Sequence, residues 1–279
     1  MNKLVRPSKT TVVGKGSRLS PGMRTKDYHA CYERPVLRAC FIRHGKATSV
    51  LSGADYDALS PLGVEQSELL GAWLAAHSPP LDAVLIGPRK RHAETYAAAA
   101  RASTAAGRPL PPPTVVAELD EHDAVTMIGR LLPVLVAEDP AVRALVVAAT
   151  KGEPPPEDDI IAAFRGVARR WVAGELPQGD VEPWSEFRAR VVRGLDAVSS
   201  AAAPEPPAAP RTVLVFTSAG VIATALGVAL GLSDEKTIDL SVVPHNASLT
   251  DMDWSPAGWA LRSFNATPHL CETRLITRI

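Results

Sequence analysis

The run Val36-Leu37-Arg38-Ala39-Cys40-Phe41-Ile42-Arg43-His44-Gly45 decides the fold and points to the chemistry of this chain. Its apolar half, Val36 to Ile42, predicts a buried strand. Its end puts an imidazole and a fixed cation side by side where a strand gives way to a loop. That pairing suits a phosphoryl group, because the ring can attack phosphorus while the guanidinium holds its oxygens. An Arg-His-Gly triplet occurs in a random chain of this length at about the few-per-cent level, so its meaning depends on partners further along.

Arg43 to Ser60 is a loop of small and polar residues. Ser60-Pro61 then opens a helix, with Ser60 as N-cap and Pro61 at the first helical position. The apolar face of this helix is Leu62, Leu69, Leu70, Trp73 and Leu74. Ala83 to Ile86 is a second strand, stopped by Gly87-Pro88, and a helix runs from about Arg89 to Thr104. Thr114 to Leu119 is a third strand, introduced by Pro111-Pro112-Pro113. From Glu121 to about Val181 the pattern turns helical, with helices predicted at Val125–Ala137 and Ile160–Ala173 around the break Lys151-Gly152-Glu153-Pro154-Pro155-Pro156. This stretch, about 123–181, reads as an insertion forming a helical lid, and its acidic 153–159 part as a solvated loop. Trp184 to Ser200 is a helix, Ala201 to Pro210 a linker, Thr212 to Phe216 a fourth strand, and Gly220 to Leu230 a further helix. Ser248–Trp254 and Trp259–Phe264 form a closing hairpin.

Strand–helix alternation of this kind implies a three-layer α/β/α sandwich with a mostly parallel central sheet. Sites in such sheets lie beyond the carboxyl ends of the strands. Four candidate groups fall there: Arg43-His44, Arg89 to Arg91, Glu121, and Thr217-Ser218.

The chain has 279 residues, 46% of them hydrophobic, and zero formal net charge. That accommodates one large core and lacks the basic stripe of a nucleic-acid binder. No apolar run reaches the roughly 18 residues of a membrane span. Three cysteines, Cys31, Cys40 and Cys271, make neither a disulfide framework nor a zinc site, and a reducing cytoplasm is the expected location. Residues 1–34 are basic, lack the apolar core of a secretory signal, and read as a flexible extension to a domain spanning 35–279.

Five segments together resemble the histidine phosphatase superfamily, in the branch that includes cofactor-dependent phosphoglycerate mutases. They are Phe41-Ile42-Arg43-His44-Gly45, Tyr56-Asp57-Ala58-Leu59-Ser60-Pro61-Leu62-Gly63, Gly87-Pro88-Arg89-Lys90-Arg91-His92-Ala93-Glu94-Thr95, Glu118-Leu119-Asp120-Glu121, and Val215-Phe216-Thr217-Ser218-Ala219-Gly220-Val221-Ile222. The resemblance covers roughly Leu37 to Trp254. It implies a phosphohistidine on His44, phosphate-clamping arginines at Arg43 and Arg91, and an acid at Glu121. The fifth segment departs from the pattern: the resemblance places a second histidine where this chain has Ser218.

The residues support the same roles on their own chemistry. His44 is the nucleophile and must be neutral to attack. Arg43 and Arg91 clamp phosphoryl oxygens as charge spreads in the transition state. Glu121 protonates the leaving oxygen and then deprotonates a water. Ser218 and the N–H of Ala219, at the start of a helix, bind an oxyanion. Lys46 and His245 are candidate substrate contacts. With His245, the residues His92 and His122 are candidates for the donor that position 218 lacks, and Ser218→His is expected to raise turnover.

The expected activity is hydrolysis of a phosphorylated small molecule or protein, without metal or cofactor and without a nucleic-acid or membrane partner. A pseudophosphatase that only binds a phosphorylated ligand is the alternative.

Overall fold

The computed structural model describes residues 35–48, 55–151, 156–176, 179, 181–201 and 210–278. The expected flexible extension, most of the Ala/Pro linker and the proline-rich break at 152–155 lie outside the described residues.

β1 (Leu37–Arg43) runs through the interior of a six-stranded sheet in the order β3-β2-β4-β1-β5-β6. The other strands are β2 (Ala83–Ile86), β3 (Pro113–Val115), β4 (Arg211–Thr217), β5 (Leu249–Ser255) and β6 (Gly258–Ala266). β1, β4, β2 and β3 pair in parallel, while β5 runs antiparallel to both β1 and β6. The sheet is therefore mixed and mostly parallel, four parallel strands of six carrying its candidate groups at one end.

Toward their carboxyl ends β1 and β4 are apolar on both faces, as strands covered on two sides require. Leu37, Ala39 and Phe41 point to one face with Val213 and Val215; Ile42 points to the other with Leu214 and Phe216. The second face is covered by α1 (Pro61–His77), through Leu70 and Leu74, and α2 (Lys90–Ala105), through Ala99. Ser60 caps α1, its Oγ accepting from the Gly63 N–H at 3.1 Å, and Pro61 stands at the first position.

The first face carries the remaining helices: α3 (Ala124–Glu138), α4 (Pro140–Thr150), α5 (Glu157–Val172), α6 (Trp184–Ser199), α7 (Ala219–Leu230) and α8 (Asp234–Ser241). Together the two sets of helices make the three layers. Leu131, Leu135, Val142, Val167 and Trp171 of the inserted region share one apolar core with Phe187, Val191 and Val221. Each such side chain contributes roughly 1.5–3 kcal/mol by leaving water, so the insertion is part of the domain's packing.

Three local features differ from the sequence expectation. The third strand is short, because the chain leaves the sheet after Val115 and winds into a 3₁₀ turn at Ala117–Leu119. α4 begins at an Asp139-Pro140 cap, with the Asp139 carboxylate accepting from the Ala141 N–H at 2.8 Å. α8 begins at Ser233, whose Oγ accepts from the Lys236 N–H. Among the described residues no helix is long and apolar enough to cross a membrane.

Candidate functional site

β1 delivers Arg43 and His44 to the carboxyl end of the sheet, and the backbone there is fixed from both sides. The His44 N–H donates to the Thr217 carbonyl at 2.9 Å, and its carbonyl accepts from the Ala247 N–H at 3.2 Å and the Asn246 amide at 3.3 Å. The Nδ1 of His44 lies 2.8 Å from the Gly45 carbonyl oxygen. A carbonyl only accepts, so Nδ1 carries the hydrogen and a neutral ring keeps its lone pair on Nε2. Burial, then the charges of Arg91 and Arg43, hold the His44 pKa well below its ordinary value, which keeps the ring neutral near pH 7.

Two guanidinium groups stand by this ring. Arg43 is pushed down to about 10 by burial, and its Nη1 donates to the Pro244 carbonyl. Arg91 sits in the first turn of α2, with Nη1 3.1 Å from Asp57 Oδ1 and its guanidinium 5.4 Å above the Tyr56 ring centre. The Nε atoms of both arginines are buried and, among the described residues, meet no hydrogen-bond acceptor. Buried charged donors left unsatisfied beside one imidazole are what an oxyanion would complete.

Glu121 follows the 3₁₀ turn and is buried. Its Oε1 accepts from the His122 backbone N–H at 3.1 Å and faces His122 Nδ1 at 2.7 Å; its Oε2 accepts from the Gly220 N–H at 3.0 Å. Burial alone would raise its pKa. The charge and hydrogen bond of His122, the Gly220 N–H and the charge of Arg91 outweigh that and hold the carboxyl well below the usual range. Gly220 must be glycine for this contact, since a Cβ there would lie 2.3 Å from Glu121 Oε1.

The loop bearing Glu121 is braced by arginines. Arg89 donates to Asp120 Oδ1 at 2.5 Å and to the Glu121 carbonyl at 2.8 Å. Arg190 of α6 donates to the Asp120 carbonyl at 2.7 Å and pairs with Glu182 at 2.7 Å.

Ser218 follows β4 and stands at the N-cap position of α7, its side chain making no capping hydrogen bond. Its Oγ lies 2.7 Å from Nε2 of His92, which is fully buried. Ala219 is the first residue of α7, and the helix gives its Gly220 N–H to Glu121. His122 is also buried, its ring centre 5.0 Å from that of Trp171 and 5.6 Å from that of Phe187. Lys46 holds α1 through its backbone: its N–H donates to Gln66 Oε1, and its carbonyl accepts from the Ser60 N–H and hydroxyl. His245 is half-buried next to Pro244, and the charge of Arg43 helps lower its pKa after the larger effects of burial and Arg278.

The sequence identified neither Asp57 and Tyr56 as partners of Arg91 nor Arg89 and Arg190 as braces of the acid. The first three lie inside the quoted segments; Arg190 carried no local signal. Among the described residues no cluster of three His, Cys, Asp or Glu side chains has the arrangement of a metal site.

Fold and site define an α/β protein with a buried cluster of an imidazole, two arginines and a carboxylate at its strand ends. The sequence profile of the histidine phosphatase superfamily (branch 1) matches residues 39–174 and 151–267, and the chain belongs to that superfamily. No curated protein sequence matches the chain. Similar solved structures include phosphoglycerate mutase from Bacillus anthracis, at 18% identity and a TM-score of 0.57 over 84% of this chain and 95% of that one. A protein of Escherichia coli described as a putative alpha-ribazole-5'-P phosphatase is similar at 17% identity and a TM-score of 0.54, over 83% and 97%. Mycobacterial glucosyl-3-phosphoglycerate phosphatase is similar at 20% identity and 0.51, over 82% and 99%. At these identities the likeness is one of fold.

The buried histidines predict a pH effect on stability. Burial holds His44 low, pushes His92 down to about 3, and pushes His269 down to about 4. A histidine depressed in the folded state stays neutral there while the unfolded chain takes up its proton below about pH 6.5, so acid favours unfolding. Each such group costs up to ~1.4 kcal/mol per pH unit between about 6.5 and its folded value. Glu121 acts in the same direction below about pH 4.5, where the unfolded carboxyl protonates first. Thermal unfolding should show Tm falling steadily from pH 7 to pH 4.5, and His269→Phe should flatten the fall. A Tm constant over that range would contradict the buried, neutral histidines.

Proposed function

We propose that this protein is a metal-independent phosphomonoester hydrolase that works through a phosphohistidine on His44. The observation that carries this reading is the buried His44 ring with its Nδ1 2.8 Å from the Gly45 carbonyl oxygen, close enough to Arg91 and Arg43 for their charges, after burial, to lower its pKa. In the first step Nε2 attacks phosphorus, the P–O bond to the leaving group breaks, and the leaving oxygen takes a proton from Glu121. In the second, water attacks the phosphohistidine, the N–P bond breaks, and the water's proton passes to Glu121. Arg43 and Arg91 stabilise the charge on the phosphoryl oxygens in both.

Glu121 is ionised at rest, which suits it as the base of the second step. For the first it must gain a proton, and a phosphoryl dianion close by raises its pKa in the direction required. An unactivated alkyl phosphate needs that proton far more than p-nitrophenyl phosphate does, because the nitrophenolate leaves readily as an anion. Glu121→Gln should therefore lose roughly 10²–10⁴-fold in kcat on the alkyl ester and much less on the nitrophenyl ester. Equal losses on both would remove Glu121 from the acid role.

A second reading is favoured by one feature. Position 218, where the resemblance places a second histidine, carries a serine, a neutral donor in place of an ionisable one. A pseudophosphatase would keep the cationic pocket and bind a phosphorylated small molecule or protein without turning it over. Hydrolysis of p-nitrophenyl phosphate by wild type and His44→Ala across pH 4–8 separates the readings: activity dependent on His44 supports the hydrolase, and equal background rates support the binder. Retention of activity in a chelator is expected; loss would contradict metal independence. Lys46 and His245, at the ends of the two loops beside His44, are the proposed contacts to the rest of the substrate.

A further inference from the structure

His92 projects from the first turn of α2 toward His44 and Ser218. Its ring centre is 5.9 Å from that of His44, its Nε2 is 2.7 Å from Ser218 Oγ, and both it and Ser218 are essentially without solvent exposure. Among the described residues its buried Nδ1 has no hydrogen-bond partner of full geometry, although the Gly87 backbone acts on the ring. Space for the ring is made at Gly87, where a Cβ would lie 2.5 Å from His92 Nδ1 and 2.8 Å from its Cε1. Three positions thus fit one another: no side chain at 87, a short hydroxyl at 218, and an imidazole at 92. A buried polar ring with one good hydrogen bond, against a serine between β4 and α7, is an expensive way to fill a core.

We infer that His92 and Ser218 act as one two-part donor, in which His92 Nε2–H donates to Ser218 Oγ and the Ser218 hydroxyl donates to a phosphoryl oxygen held by Arg43 and Arg91. The inference rests on the proposed phosphoryl site. It also goes beyond it, because it assigns the imidazole at that site to α2 rather than to the turn after β4. Ser218 touches the substrate; His92 is a positioning residue that fixes the direction of its hydroxyl. The neutral state imposed on His92 by burial and by Arg91 leaves one ring N–H to give. The ring has two neutral tautomers, one with Nδ1–H toward the Gly87 backbone and one with Nε2–H toward Ser218; an anion that accepts from the Ser218 hydroxyl selects the second. No charge or proton is consumed: the pair only donates hydrogen bonds, which strengthen as the phosphoryl group gains negative charge.

The test uses orthovanadate titration by calorimetry and p-nitrophenyl phosphate kinetics on the full chain. The variants are Ser218→Ala, His92→Phe, His92→Gln and the double variant His92→Phe/Ser218→Ala. Ser218→Ala and His92→Phe should each lower kcat by about 10²-fold, the cost of one oxyanion donor. The double variant should lose no more than the worse single one, since the two residues act as a unit. His92→Gln, whose amide nitrogen can reach the place of Nε2–H, should recover most of the loss in kcat and in vanadate affinity. Phe fills the ring's space without a donor, so wild-type kinetics and affinity in His92→Phe would overturn the inference. So would multiplicative losses in the double variant. Should His92→Phe fail to fold, near wild-type kinetics in the almost isosteric Ser218→Ala overturns it equally. A wild-type protein that neither binds vanadate nor turns over the ester refutes the phosphoryl site itself, a different result from normal wild-type binding with indifferent variants.

Discussion

Replacing His44 with alanine should reduce p-nitrophenyl phosphate turnover to background, a loss of about 10⁴-fold or more, as expected when a nucleophile is removed. The ring's position supports so large a figure. Its backbone is tied to Thr217, Ala247 and Asn246, and its Nδ1 to Gly45, so the lone pair on Nε2 is held in one direction. Affinity for inorganic phosphate should fall by no more than about tenfold, because Arg43 and Arg91 remain in place and supply most of the charge. Calorimetry with phosphate beside the kinetics thus separates loss of chemistry from loss of the pocket. Substantial turnover in His44→Ala would mean that another group attacks phosphorus.

Arg91→Ala should lower kcat/KM by about 10²–10³-fold, the cost of removing one charged donor from the developing oxyanion. Lysine should not restore it, since an ammonium lacks the planar fork that can hold Asp57 and an anion at once. The same variant should move the acid limb of the pH–rate profile. Arg91 is the largest charge effect lowering the His44 pKa, second only to burial. Its loss raises that pKa, more of the ring is protonated at a given acid pH, and the limb shifts to higher pH. An unmoved limb with an intact kcat/KM would place Arg91 outside the site.

Much of this fold could be read in the chain because local signals and long-range packing agree. Val36–Ile42 and Thr212–Phe216 are rich in apolar and β-branched residues, and the structure uses both as interior strands. Ser60-Pro61 specifies a helix start by cap and ring geometry alone, and the helix starts there. α4 escaped because its Asp139-Pro140 cap lies in an alanine- and valine-rich stretch without a clear polar face. The third strand stops short of Leu119 because Thr114-Val115-Val116 is strand-forming while Ala117-Glu118-Leu119 is not, and it turns to bring Glu121 to the start of α7. The order of the site residues in the sequence pointed to the pocket, whereas its wall depends on contacts 126 residues apart, as between His92 and Ser218. That contact also changes the expectation for Ser218→His. A second imidazole at 218 would meet the ring of His92, so the gain expected from the sequence requires His92 to be truncated as well.

The central claim is covalent chemistry at His44, and trapping the phosphoenzyme tests it most directly. Wild-type protein mixed with p-nitrophenyl phosphate, quenched with denaturant at alkaline pH and weighed intact, should carry one added phosphoryl group. Peptide mapping should place that group on His44, its bond should survive base and fall to acid, and His44→Ala should carry none. Turnover of the ester with no adduct on His44, or an equal adduct in His44→Ala, would contradict the account.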